Sequence, residues 1–108
     1  MVGNQTDFVY VPFPGIAPAP VPGTNVNFAS GLFGDGDATC TGNVDDPTAP
    51  AGKVCLYLSA DLNVDRSQTR GLDARRQTRG FRIRFEQEAI AMAGDDKFLD
   101  ATWAYTAP

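Results

Sequence analysis

Glycine and proline recur along the whole chain and exclude long helices. The 108 residues include eleven glycines and eight prolines; proline breaks a helix and interior glycine weakens one. Several stretches instead alternate apolar and polar residues with a period of two, which is typical of half-buried strands. We predict one all-β domain over residues 1–108, an antiparallel β-sandwich or jelly-roll of about six to eight short strands.

The alternation also locates the strands. It is clearest in residues 53–62, where Val54, Leu56 and Leu58 interleave with Cys55 and Tyr57. The other strand candidates, in chain order, are residues 7–13, 25–30, 81–86, 88–93 and 98–106.

Two segments lack this alternation. Residues 12–23 contain five prolines, whose fixed φ favours an extended, polyproline-like path, so we predict a surface strap or sheet edge. Residues 65–80 are polar and contain a small repeat, in which residues 66–71 resemble residues 75–80 and both copies end in glycine. We predict an arginine-rich loop over residues 65–80, either presented for binding or a tolerated surface duplication.

Charge is distributed unevenly. Residues 1–65 carry a net charge of −6, residues 66–84 carry +6, and residues 85–108 carry −4. Arginine is well suited to paired contacts with carboxylates and phosphates. The candidate partner-binding residues are Arg66, Arg70, Arg75, Arg76, Arg79, Arg82 and Arg84. Their partner is either an anionic polymer or, as we prefer, an acidic face of the same or a neighbouring subunit, because a protein with an isoelectric point of about 4.5 repels polyanions overall.

Cys40 and Cys55 are the only two cysteines, and they lie fifteen positions apart beside a Pro- and Gly-rich loop. Two cysteines alone do not make a zinc site. We predict a disulfide between them and therefore an oxidising compartment, with two buried free thiols as the alternative.

Composition excludes the common catalytic machinery. The chain has no histidine and only three serines, so a Ser-His or Cys-His nucleophile cannot form. We expect no enzymatic activity, no catalytic residue, no bound metal and no cofactor. No apolar run approaches the roughly 18 residues of a membrane-spanning helix.

Trp103 and Tyr105 share one face of the last strand candidate. They form either part of the core, which we prefer, or an exposed platform for sugar rings, to which Tyr10 and Tyr57 would then contribute.

Several short motifs resemble a family of bacterial surface domains that often sit at the C-terminus of collagen-like or other elongated proteins. The matching segments are residues 11–14 (Val-Pro-Phe-Pro), 40–42 (Cys-Thr-Gly), 47–49 (Pro-Thr-Ala), 52–57 (Gly-Lys-Val-Cys-Leu-Tyr) and 101–108 (Ala-Thr-Trp-Ala-Tyr-Thr-Ala-Pro). These motifs are turns and core positions, so the resemblance implies an architecture and a surface location but no activity.

We therefore expect a non-enzymatic structural or adhesive module of a bacterial cell surface or a phage virion, such as a decoration protein. We expect it to assemble with itself, with a trimer as the favoured number, or within a larger surface or capsid assembly. The alternatives are a carbohydrate-binding module, with a glycan as partner, and binding of an anionic polymer through the arginines. Nucleic acid is a disfavoured partner.

Overall fold

The computed structural model shows six strands in the part of the chain that it describes. It describes residues 6–29, 36–73, 78–87 and 98–108, with the backbone alone at residues 6, 7, 66–73 and 87. The strands are β1 (Thr6–Pro12), β2 (Val26–Phe28), β3 (Val54–Leu62), β4 (Val64–Asp73), β5 (Gly80–Gln87) and β6 (Phe98–Tyr105). A single turn of 3-10 helix, Gly23–Asn25, precedes β2. The predicted all-β class is confirmed, and no helix in the described ranges is long and apolar enough to cross a membrane.

The strands form two three-stranded sheets, in the orders β1-β5-β4 and β2-β3-β6. We call them the first and the second sheet. Neighbouring strands are antiparallel, except that β2 runs parallel to β3. This parallel pair departs from the predicted antiparallel sandwich. It arises because 25 residues separate the two strands, from Phe28 to Val54, which is ample for the crossover that parallel pairing requires.

The core lies between the two sheets. Phe81, Ile83 and Phe85 of β5 face inward and are buried, as their alternation predicts. They meet Val54 and Leu56 of β3 in one apolar cluster. At about 25 cal/mol per Å² of apolar surface removed from water, this burial is the main force holding the sheets together.

The second sheet is covered on its outer side as well. Cys55 and Tyr57 of β3 point away from the core, yet both are buried beneath the long loop of residues 36–53. The predicted disulfide is present, joining Cys40 to Cys55 with their Cα atoms 5.6 Å apart. The Tyr57 hydroxyl accepts a hydrogen bond from the Gly42 amide at 2.9 Å and donates one to the Thr48 carbonyl at 2.5 Å. The loop is therefore fixed to β3 by a covalent bond and by a buried hydroxyl.

The predicted arginine-rich loop over residues 65–80 is wrong for most of its length. Residues 64–73 form β4, which pairs with β5, and only residues 78–79 form a described turn. Asn63 alone separates β4 from β3, with a φ of +55°, a conformation that asparagine tolerates better than most residues. The chain thus turns at Asn63 from the second sheet into the first, and the polar sequence that follows is held as a strand by its partner.

The proline-rich segment follows the predicted surface path. Residues 13–22 contain no strand and connect β1 to the 3-10 turn. Their prolines are exposed, while Ala17 and Val21 are buried against the core. The Phe13 amide donates to the Arg79 carbonyl at 2.9 Å and the Ala17 amide to the Thr78 carbonyl at 2.7 Å. We refer to residues 13–18 as the strap.

Candidate functional site

The first sheet ends in an edge strand with exposed aromatic side chains. Among the described residues β1 pairs only with β5. Phe8, Val9 and Tyr10 in its middle are 54%, 46% and 48% exposed. Burying an apolar side chain contributes roughly 1.5–3 kcal/mol, and Tyr and Phe are enriched at protein interfaces. A run of three such residues on a sheet edge is therefore a candidate contact surface.

The backbone of β1 also has groups directed outward along this edge. The Phe13 amide faces β5. Backbone groups alternate in direction along a strand, so the N–H and C=O groups of Val9 and Val11 also face β5, whereas those of Phe8 and Tyr10 face away from it. Pro12 follows in the outward series, where its missing N–H leaves no ladder bond unmade. No strand of the described ranges pairs with the outward N–H and C=O groups of Phe8 and Tyr10, so another strand can add to them.

The candidate arginines fall into three groups. Arg66 and Arg70 lie in β4, where Arg70 stands opposite Arg84 in the ladder with β5. Arg75 and Arg76 lie outside the described residues. Arg79 and Arg82 are exposed, and Arg84 is half-buried. Strand pairing between β4 and β5, rather than the predicted loop, thus brings part of the arginine stretch together on the first sheet.

Two contacts organise the outer face of the first sheet. The Arg82 guanidinium lies 5.3 Å from the centre of the Phe8 ring, within the range of a cation-π interaction. Arg84 forms an ion pair with Glu86, two residues along the same strand. The result is a surface that mixes aromatic rings, arginines and Glu86, whereas Asp37, Asp45, Asp46 and Asp100 lie on the second sheet or its loop.

Strand β6 is the corresponding edge of the second sheet, since among the described residues it pairs only with β3. The Ala29 amide donates to the Leu56 carbonyl at 2.9 Å, so the backbone groups of Leu56 face β2. The backbone groups of its neighbours Cys55 and Tyr57 therefore face β6. In the register of β3 with β6, the backbones of Trp103 and Tyr105 therefore point away from β3 along the free edge.

An apolar cleft of about 350 Å³ lies between this edge and the strap. Its walls include Phe13, Ile16, Trp103 and Tyr105. The Phe13 ring stacks on Tyr105 with centroids 4.8 Å apart and lies 5.9 Å from Trp103. The Tyr105 hydroxyl is buried and has no hydrogen-bond partner among the described residues. A buried, unpaired hydroxyl costs roughly 1–3 kcal/mol.

A second cavity, of about 250 Å³, lies nearer the start of β6. Its lining includes Val9 of β1 and Phe98 and Leu99 of β6. The first cavity thus lies where the strap faces the end of β6, and the second where β1 faces its start. We call this region, with its two free edges, the open side of the sandwich.

The predicted sugar platform is not assembled as one surface. Tyr57 is buried and hydrogen-bonded under the disulfide loop. Trp103 and Tyr105 are half-buried and pack against the core, as preferred from the sequence, while they also line the cleft. Tyr10 lies on the first sheet. The four aromatic residues do not form a row, and the described lining of the cleft has no amide or carboxylate side chain to hold sugar hydroxyls.

The carboxylates of the disulfide loop have structural partners. Asp37 accepts hydrogen bonds from Lys53 at 2.8 Å, from the Thr39 hydroxyl at 2.6 Å and from Asn27 at 3.0 Å. Lys53, Thr39 and Asn27 together hold the pKa of Asp37 well below its usual range, Lys53 most strongly. Among the described residues no group of three metal-ligating side chains is gathered.

The sequence analysis singled out the tyrosines and arginines but missed Phe8, Phe13 and the two edges. Alternation shows that a strand has two faces, but it cannot show which strand lacks a neighbour. Comparison with family models, with curated proteins and with solved structures found no match. Membership of the surface-domain family therefore stays a prediction, and the argument about function depends on the geometry.

Proposed function

We propose that this protein is a non-enzymatic structural module of an extracellular assembly, a cell surface or a virion, and that it associates with copies of itself. The observation that carries the proposal is the exposed aromatic edge of β1, formed by Phe8, Val9 and Tyr10. Exposed apolar residues next to an unpaired strand edge favour pairing with another chain, and natural sheets normally protect such edges with charge or short strands. Here Pro12 protects only the end of the strand.

Three further observations support the proposal. The Cys40–Cys55 disulfide suits an oxidising compartment. The absence of histidine removes the usual general base. The resemblance to surface domains of elongated proteins points to the same location. A trimer is the oligomer we favour.

Sedimentation equilibrium of the full chain tests self-association. Phe8→Ser should weaken it by about tenfold or more, because an exposed ring that another copy buries contributes roughly 1.5–3 kcal/mol. Leu62→Ser is the matched control, since Leu62 is also exposed but lies on β3; it should leave association unchanged. A wild-type chain that stays monomeric at millimolar concentration would contradict the proposal.

A second candidate function is binding of an anionic polymer. It is favoured by the exposed Arg79 and Arg82 and by the stacking of Arg82 on Phe8, which leaves a cationic and aromatic surface facing solvent. Retention on heparin that falls steeply with salt, and is lost in the double variant Arg79→Ser and Arg82→Ser, would support it. Glycan binding, the remaining alternative, is tested with a glycan array on the wild-type protein and on Trp103→Ala.

A further inference from the structure

The open side offers two strand edges rather than one. Edge β1 directs the backbone groups of Phe8 and Tyr10 outward, and edge β6 directs those of Trp103 and Tyr105 outward. The spacing of two residues is the same on both edges, as strand addition requires. The two edges lie on the same side of the molecule, where Val9 and Phe98 line one cavity and the Phe13 ring of the adjoining strap contacts the Trp103 ring.

From this geometry we infer that edge β1 of one copy adds to edge β6 of a neighbouring copy and that its apolar side chains enter the cleft beside Trp103 and Tyr105. This inference rests on the proposed self-association and names the surfaces that carry it. Main-chain hydrogen bonds provide the contact, as in other cases of strand addition, and the cleft accommodates side chains of the added strand.

The cleft is suited to such an occupant and poorly suited to a polar one. The described lining is apolar apart from the Trp103 ring nitrogen and backbone groups, and it carries no charged side chain.

The contact joins two different edges, so it closes either as a twofold dimer, in which each copy gives both edges to the other, or as a larger ring, and the closure sets the size of the assembly. Repeated around a rotation axis it gives a ring, which is consistent with the favoured trimer. It also predicts that each copy has one donor edge and one acceptor edge, and these can be blocked separately.

Two proline variants block the edges. Phe8→Pro removes an outward N–H of β1 and Ala101→Pro removes an outward N–H of β6, since Ala101 faces the same way as Trp103. The matched controls, Phe8→Ala and Ala101→Gly, shorten the side chain but keep the N–H. Each proline variant should associate about tenfold more weakly than its control, with an unchanged circular dichroism spectrum.

Mixing the two proline variants is the decisive experiment. The Phe8→Pro chain retains a functional β6 and the Ala101→Pro chain retains a functional β1, so an equimolar mixture should form a 1:1 heterodimer that neither forms alone. Trp103 is the only tryptophan of the chain; its emission should shift when the heterodimer forms. A mixture that remains monomeric while the controls associate would overturn the inference and leave self-association itself standing.

If the wild-type chain does not associate at all, the proposed function fails together with this inference.

Discussion

At the scale of single residues, Gly80 shows how close packing restricts the choice of side chain. A Cβ atom there would lie 2.5 Å from the Tyr10 hydroxyl oxygen and would also clash with the Val11 carbonyl. The glycine is needed for this close approach of β1 rather than for an unusual φ. It allows the half-exposed Tyr10 ring to lie across the end of β5.

We expect Gly80→Ala to lower the free energy of unfolding by about 1–3 kcal/mol, because the Tyr10 ring and the edge strand must both shift. Chemical denaturation followed by circular dichroism measures this change. Gly15→Ala is the control: nothing lies within 4 Å of the added methyl group, so its effect should be near zero or slightly stabilising. Equal effects of the two substitutions would refute the packing argument.

The second prediction at this scale concerns Asp37, whose side chain is only 12% exposed and is paired with Lys53. Its pKa in the folded chain lies well below that in the unfolded chain, about 3.9. A depressed pKa contributes stability that is fully present above the unfolded pKa and is lost as the pH falls through and below it.

Comparison with Asp37→Asn isolates this contribution. The difference in free energy of unfolding between wild type and variant should be largest above pH 5 and should shrink steadily between pH 4 and pH 2. Urea titrations at several pH values provide the measurement. A difference that does not vary with pH would show that the carboxylate charge contributes nothing to stability.

At the scale of elements, the loop of residues 36–53 behaves as a covering layer on the second sheet. Besides the disulfide and the Tyr57 hydroxyl, it is bound by the Thr102 hydroxyl, which donates to the Val44 carbonyl at 2.9 Å, and by the Thr106 hydroxyl, which donates to the Ala49 carbonyl at 2.7 Å. This layer explains why the first four residues of β3, 54–57, are buried on both faces although the sequence predicts only one buried face.

Removing the disulfide should lower the stability of the whole domain, because the loop is part of the fold. The double variant Cys40→Ala and Cys55→Ala should lose about 3 kcal/mol of unfolding free energy, the value expected for a closed loop of 15 residues. Reduced and oxidised wild type, compared by denaturant titration, give the same test without mutation. A denaturation midpoint that does not move after complete reduction would contradict it.

The strands differ in how well the sequence predicts them, and the difference has a physical cause. Strands β3 and β5 separate apolar from polar residues, and this separation reflects a face that must be buried. Strand β4 has a polar, arginine-rich sequence, and its conformation depends on the ladder with β5, which lies elsewhere in the chain. The cleft is not predictable from the sequence for the same reason: Phe13 and Trp103 are 90 positions apart, so only the tertiary fold brings them together.

At the scale of the whole molecule, the two sheets have different outer faces. The second sheet is covered by its own loop, whereas Phe8, Tyr10 and Arg82 of the first sheet face solvent. The assembly we propose depends on apolar side chains and main-chain hydrogen bonds, while the hypothesis from charge alone depends on the arginines. Ionic strength separates the two, because salt screens exposed charges and leaves apolar contacts and main-chain hydrogen bonds largely unaffected.

We expect the association constant to change less than about threefold between 50 mM and 500 mM sodium chloride, where screening of arginine contacts would lower it far more. Sedimentation equilibrium at three salt concentrations provides the measurement, with the double variant Arg79→Ser and Arg82→Ser run in parallel. A steep loss of association with salt that disappears in the double variant would show that the arginines, rather than the strand edges, form the interface.

The pairing of β1 with β5 also determines what happens while the chain is being made. Thr6 pairs with Glu86, 80 positions later, so β1 has no partner until most of the polypeptide has been synthesised. At roughly 5–20 residues per second, that wait lasts about 4–16 s. During this time the aromatic strand is exposed without the partner that it has in the fold. A chaperone that binds extended apolar segments would therefore be needed most for the first residues of β1 rather than for the buried strands of the core.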